Sequence, residues 1–330
     1  MANLQTTYLG LKLRNPIIVS SSALTNSVEK IKKLEEKGAG AVVLKSLFEE
    51  QINYETSSLL KHNEYPEAAD YILNYAKENT LNEYLELLKG AKKEVSIPVI
   101  PSINCVSDID WTGYAKDFEE AGADAIELNI HIVVSDKDIS SADLEQKYLN
   151  IIQKVKQSTK IPIAVKIGYH FSNIGNIVNR IYAHGATGVV LFNRFYEPDI
   201  DIDNMKFTSS DIFSNPSDIR HSLRWIGILS DLIPNIEISA STGVHDGAAA
   251  IKMLLAGAQT VQVCSTLYKN GIDELSKIIT EVSNWMDEKN YESVADFRGI
   301  MSYKDIKNPA IYERSQFMKH FSSVEQKTSA

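Results

Sequence analysis

The sequence predicts an α/β fold of the (β/α)8, or TIM-barrel, class, and three observations carry that prediction. Eight short apolar runs of strand length recur along the 330 residues, each closed by small or polar side chains. Amphipathic segments of helical period separate them. The runs lack polar alternation, as expected for strands covered on both faces in a parallel sheet. A doubly wound open sheet would show a similar pattern, but no Gly-x-Gly-x-x-Gly follows the first run.

In chain order, TTYLGLKLRN from Thr6 alternates enough for a short N-terminal hairpin. The eight strand runs then begin at Asn15 (NPIIVSSSA), Gly40 (GAVVLKSL), Ile97 (IPVIPSINC), Ala123 (ADAIELNIH), Ile161 (IPIAVKIGY), Ala186 (ATGVVLFNRF), Asn235 (NIEISASTG) and Ala258 (AQTVQVCST). Segments such as SVEKIKKLEEKG, YAKDFEEAG and GAAAIKMLLAG end in the glycine that favours a left-handed helix C-cap. Two connections are long and weakly periodic, from Phe48 to about Tyr65 and from Glu197 to about Ser217. They follow the second and sixth strands, where barrel loops build lids and substrate walls. The tail from about Tyr291 to Phe321 reads as extra C-terminal helices packed outside. With no linker and no further repeat, residues 1–330 read as one domain.

A formal charge of -9 and a pI near 5.4 argue against nucleic acid or an anionic membrane as partner, since both need a concentrated positive field. A small soluble ligand fits better. The two cysteines, Cys105 and Cys264, fit a reducing compartment and are too few for an iron–sulfur cluster held by this chain alone. MANLQTTYLG has no signal-peptide pattern and no apolar run is long enough to span a bilayer, so a cytoplasmic location is expected.

In a barrel, chemistry sits at the C-terminal ends of the strands. Those positions hold Ser20, Ser21 and Ser22, then Lys45 and Ser46, Ser102 and Asn104, Asn129 and His131, Lys166, Asn193, Thr242 and Gly243, and Ser265 and Thr266. The lysines are the most informative, because an ammonium in an apolar barrel mouth needs an anion or a polarised carbonyl. Pairing with a neighbouring carboxylate such as Glu127 is the structural alternative. Ser241-Thr242-Gly243-Val244 and Cys264-Ser265-Thr266 put small residues before helix N-termini, where backbone N–H groups meet an anion. A tight turn without a ligand is the plain alternative there. A ligand with a phosphate at one end and a polar ring at the other would meet these groups in order. Flavin mononucleotide (FMN) is such a ligand, with Lys166 beside the N1/C2-carbonyl edge.

These residues resemble the dihydroorotate dehydrogenase family, most closely its soluble class 1 members. The likeness runs through NPIIVSSSA, AVVLKS, ELN, AVKI, VLFN and SASTGVHDGAAAIKMLLAGAQTVQVCSTLYKNG, in that order. It implies flavin contacts from Ser20, Ser21, Lys45, Ser46, Asn129 and Lys166. Phosphate contacts would come from the backbones around Gly243, Cys264 and Ser265, and Lys45, Asn129 and Asn193 would also face the substrate. It further implies oxidation of dihydroorotate to orotate in pyrimidine biosynthesis, a homodimer, and a soluble acceptor such as fumarate.

Two positions depart from the family pattern. The family follows its ELN strand with a Ser-Cys-Pro-Asn-like turn whose Cys, or Ser in class 2, removes a proton from dihydroorotate. The matching positions here are His131, Ile132, Val133 and Val134, and isoleucine accepts no proton. The nearest stretch to the family's substrate loop is His62-Asn63-Glu64-Tyr65-Pro66. Candidate bases are therefore His131 first, then Cys105, Ser135, Tyr169 and His170. Three functions remain open: an FMN oxidoreductase on dihydroorotate or another small substrate, a flavin-binding protein without that turnover, and an aldolase-type enzyme with Lys166 as Schiff-base nucleophile.

Overall fold

The computed structural model describes residues 2–48, 69–105, 111–209 and 211–314. It begins with an antiparallel hairpin of β1 (Thr6–Tyr8) and β2 (Leu11–Leu13). Leu9 and Gly10 turn it with φ of 55° and 72°. Positive φ at both central residues is what a two-residue hairpin turn of the right twist demands.

The parallel strands and their helices follow as β3 (Ile17–Val19), α1 (Val28–Glu36), β4 (Ala41–Val43), β5 (Leu47–Phe48), α2 (Ala69–Glu94), β6 (Val99–Ile100), β7 (Ser102–Cys105) and α3 (Trp111–Glu120). Next come β8 (Ile126–Ile130), α4 (Ser141–Ser158), β9 (Ile163–Ile167), α5 (Ile174–Ala183) and β10 (Gly188–Leu191). The hairpin β11 (Pro198–Asp201) and β12 (Lys206–Ser209) precedes α6 (Ile219–Leu232), β13 (Glu237–Ala240), α7 (Gly247–Ala256) and β14 (Thr260–Val263). The chain then forms α8 (Ser265–Asn270), α9 (Glu274–Lys289) and α10 (Ala310–Glu313).

Ten strands form one curled, parallel sheet in the order β5-β7-β8-β9-β10-β13-β14-β3-β4-β6, with helices covering it, an α/β barrel arrangement. β4 pairs with β6 and β5 with β7. Only Leu44–Ser46 separate β4 from β5, and only Pro101, which has no N–H for a ladder, separates β6 from β7.

Side-chain alternation sorts the strands into two faces. Val19, Val42, Ile126, Leu128, Val165 and Val189 pack in one large cluster with helix residues such as Ile31, Leu88, Phe118, Ile152 and Ile177. Ile18, Ala41, Val43, Ile100, Ala125, Ala164 and Val190 form a second cluster on the opposite face, closed by Tyr8, Leu9 and Leu13 of the hairpin. The hairpin thus plugs one end of the sheet's inner face, with the Leu9 N–H donating to the Glu237 carboxylate. The inner face therefore carries chemistry only toward the strands' C-terminal ends.

The connection after β10 contains the β11–β12 hairpin, a periodic element inside a stretch expected to be irregular. Its strands are almost wholly exposed, so no buried face marks them in sequence. The tail also departs from the expected run of helix. After α9 it makes one 3₁₀ turn at Val294–Asp296 and the four-residue α10. Its backbone instead docks on the neighbouring helices, Gly299 N–H to Leu254 O (3.0 Å) and Tyr303 N–H to Gly227 O (2.9 Å). The second-strand connection with His62–Pro66, and the tail beyond Arg314, lie outside the described residues.

Candidate active site

Alternation carries the inner phase of the strands upward from the alanine layer. Ala164 and Ala125 lead to Lys166 and Glu127 two residues on, and Ile18 leads to Ser20. Lys166 Nζ donates to Ser20 Oγ (3.1 Å) and Gln262 Oε1 (3.4 Å). It also faces Glu127 Oε1 at 3.7 Å, an ion pair too long to be a hydrogen bond. Gln262 ties the group together, since its Nε2 donates to Glu127 Oε2 (2.7 Å) while its Oε1 accepts from Ser20 Oγ (2.9 Å). All four side chains are buried. A charge pair this deep stands only because each partner has further polar neighbours.

Above this array lies a cavity of about 330 Å3, inside the size range of small-ligand sites, roughly 300–1,000 Å3. Its floor and walls are Ser20, Ser21, Lys166, Asn193, Gln262 and Cys264, with Ser241, Thr242, Gly243 and Ser265 at one end. Arg194, Glu197, Asp211, Ile212 and Ser214 from the connection after β10 complete it. Asn193 donates to Asn129 Oδ1 (2.7 Å), so Asn129 reaches the cavity through its neighbour. Asn104, Asn129 and Lys166 are register partners across β7, β8 and β9.

The end at Gly243 is built for close backbone approach. Thr242 and Gly243 have φ of 76° and 79°, and a Cβ on Gly243 would stand 2.2 Å from Ile219 N. Thr242 Oγ1 donates to Phe192 O (2.8 Å), and Ser265 Oγ accepts from Ser214 N–H (3.0 Å). Burial pushes the Cys264 thiol up, against the pull of Ser22 and Lys166, so it is a protonated wall group rather than a nucleophile. Small side chains, a positive-φ pair and the start of α8 make this the end that suits an anion.

His131 does not share that cavity. β8 stops at Ile130, and the His131 ring stacks on Phe195 with centroids 3.4 Å apart and planes 15° from parallel. Burial, with the nearby His170, holds its pKa down to about 4, so it is neutral at neutral pH. His131, Ile132 and His170 line a second cavity of about 480 Å3, which shares Phe195, Tyr196 and Glu197 with the first. Ile132 packs against the core, and its N–H donates to Tyr148 Oη (3.2 Å).

Lys45 also lies apart, lining a cavity of about 210 Å3 with Asn26, Ser46, Phe48 and Tyr84. Ser46 links back through Ser21 Oγ (3.0 Å) and Ser102 Oγ (2.8 Å). Of the lesser base candidates, Tyr169 stacks on His221 (4.9 Å, 5°) and Ser135 is exposed. The side chain of Cys105 lies outside the described residues. Sequence reasoning missed Gln262, Arg194, Phe195 and Glu197. A glutamine inside the apolar run TVQV was the available signal for the first; Arg194 and Phe195 close the apolar run ATGVVLFNRF, and Glu197 opens the weakly periodic connection after it.

The model of the family described as dihydroorotate dehydrogenase matches residues 3–286. The chain belongs to the dihydroorotate dehydrogenase family. It is 29% identical over 308 residues to the dihydroorotate dehydrogenase B (NAD(+)), catalytic subunit, of Thermoplasma volcanium, covering 91% of this chain and 99% of that one. It is 26% identical over 298 residues to the protein of the same name from Methanocaldococcus jannaschii, covering 87% and 94%. Dihydroorotate dehydrogenase relatives thus align along nearly their whole length, through every strand that supplies the Lys166 cavity. No described helix is long and apolar enough to cross a membrane.

Proposed function

We propose that this chain is an FMN-dependent oxidoreductase acting on a CH–CH bond of a small substrate, dihydroorotate or a relative of it. We read its fold as a single closed (β/α)8 barrel in which β4 with β5, and β6 with β7, each count as one interrupted strand. The observation that carries the function is the Lys166–Ser20–Gln262–Glu127 array beneath a cavity that ends at Gly243. A buried ammonium at one end and a positive-φ backbone cradle at the other suit a polar ring joined to a phosphate. When bound, FMN would supply the hydride-accepting chemistry. Lys166 would hold the negative charge of the reduced ring, and Asn129 and Asn193, bonded to each other, would orient ring and substrate. Ser21 and Cys264 would wall the cavity, and the backbones at Thr242, Gly243 and Ser265 would hold the phosphate.

Ile132 cannot take the proton that leaves the substrate, so we assign that role to His131, neutral and able to accept. Its ring lines the second cavity, which adjoins the first at Phe195, Tyr196 and Glu197. Lys45 and Ser46, with Asn104, would complete the wall toward the second strand. Lys166 is already committed to Ser20, Gln262 and Glu127, which disfavours a Schiff-base role. A cytoplasmic homodimer and a small soluble oxidant, fumarate or the NAD(+) that the relatives are named for, complete the reading.

The test is the visible spectrum of the purified protein, before and after reconstitution with FMN, followed by anaerobic mixing with dihydroorotate and then with fumarate or NAD(+). Bound flavin absorption and substrate-dependent bleaching are expected. A protein that takes up no FMN overturns the reading. Flavin that binds but never bleaches, with dihydroorotate or with related dihydropyrimidines, leaves the flavin-binding alternative.

A further inference from the structure

The second cavity is not explained by flavin binding, and its chemistry is distinct. Apolar and aromatic side chains build most of it, among them Ile132, Leu144, Phe171 and Phe195. Among the described residues that line it there is no lysine or arginine. His131 is neutral and lies face to face with Phe195, so it brings no positive charge to the cavity. Two carboxylates do line it. Glu145 is neutralised by Arg180 Nη1 at 2.6 Å, whereas Glu197 has no hydrogen-bond or ion-pair partner among the described residues. Glu197 also lines the Lys166 cavity, so it stands where the two spaces meet.

We infer that the second cavity binds an organic cation with an apolar or aromatic body, its ammonium held by Glu197 and its body laid against Phe195, Phe171 and Ile132. Three physical terms point the same way. An apolar body gains from leaving water in a cavity of about 480 Å3. Aromatic faces attract a cation. An unpaired carboxylate at the junction attracts the same charge and repels a carboxylate, so an anionic ligand of equal size is excluded. The inference rests on the flavin reading in one respect: FMN would fill the first cavity and leave this one open to a second ligand.

The experiment titrates the FMN-loaded protein with phenethylammonium and with phenylacetate by isothermal calorimetry, after measuring FMN content by its absorption. Phenethylammonium is expected to bind and phenylacetate to bind at least tenfold more weakly, roughly the discrimination of one charged contact. Glu197→Gln should weaken the amine about tenfold, and Glu197→Lys should reverse the preference. Glu197 is exposed, so neither change threatens folding. Equal binding of the two probes, no binding of either, or an amine affinity unchanged in both variants overturns the inference. A protein that takes up no FMN on reconstitution but still prefers the amine would overturn the flavin reading and leave the cation site standing.

Discussion

Lys166 and Glu127, neighbours on β9 and β8, face each other inside the sheet with Nζ and Oε1 3.7 Å apart, both shielded from solvent. Removing one partner leaves the other as an uncompensated buried charge. Lys166→Met is therefore expected to destabilise the fold by about 3–5 kcal/mol, whereas Lys166→Met with Glu127→Gln recovers most of that loss. Urea midpoints measure both. The double variant should fold yet fail to stabilise reduced flavin, which separates the structural role of Lys166 from the role proposed for it toward the ring.

His131 predicts a pH dependence of stability. Its pKa in the fold is about 4, below the ordinary 6.5, because burial and then His170 disfavour the charged ring. The unfolded chain binds the proton first, so the contribution is complete above about pH 6.5 and is lost as pH falls toward about 4. Urea midpoints across that window should drop less steeply in His131→Gln than in the parent. An identical slope would show that His131 is not desolvated under Phe195.

Gly243→Ala tests the anion end of the cavity. The new Cβ meets Ile219 N at 2.2 Å, and the residue must keep a φ of 79° that costs a non-glycine residue roughly 1–2 kcal/mol. FMN affinity should fall at least tenfold, about the effect of 1.4 kcal/mol, while helical circular dichroism stays near that of the parent. Fluorescence quenching on FMN titration is the readout.

Ile132→Cys puts a thiol at the position that, by the resemblance, matches the family's proton acceptor. Anaerobic flavin reduction by dihydroorotate should speed up by roughly 10²-fold or more if a thiol there is a better placed base than His131. No gain would mean that the surrounding wall, with its Phe195–His131 stack, has changed the substrate as well.

The legible part of this protein was the part governed by local period. Apolar runs at Asn15, Gly40 and Ala186 have to be covered on both faces, and this gave the strands, the covering helices and the polar residues at the strand ends. Thr242, Gly243 and Cys264 could be placed on one cavity because they close the last two strands on their C-terminal side, before a helix. The β11–β12 hairpin was not legible, because its exposed strands carry no buried alternation. The long helical tail was overread, because residues 291–314 are held by backbone bonds to α6 and α7 rather than by an amphipathic face of their own.

The sequence by itself determined which residues could do chemistry and that two lysines and several amides stand at strand ends. Only the tertiary structure decided which of them meet. Sheet register and curvature bring Lys166, Gln262 and Ser20 together over sequence separations of 96 to 242 residues. Lys45 and His131 go to separate cavities. The strand at Lys45 is interrupted and the strand before His131 has ended, and Phe195, past the end of β10, closes over the His131 ring. Local sequence sets the phase of a side chain on its strand, whereas its partners depend on contacts the whole chain must first close.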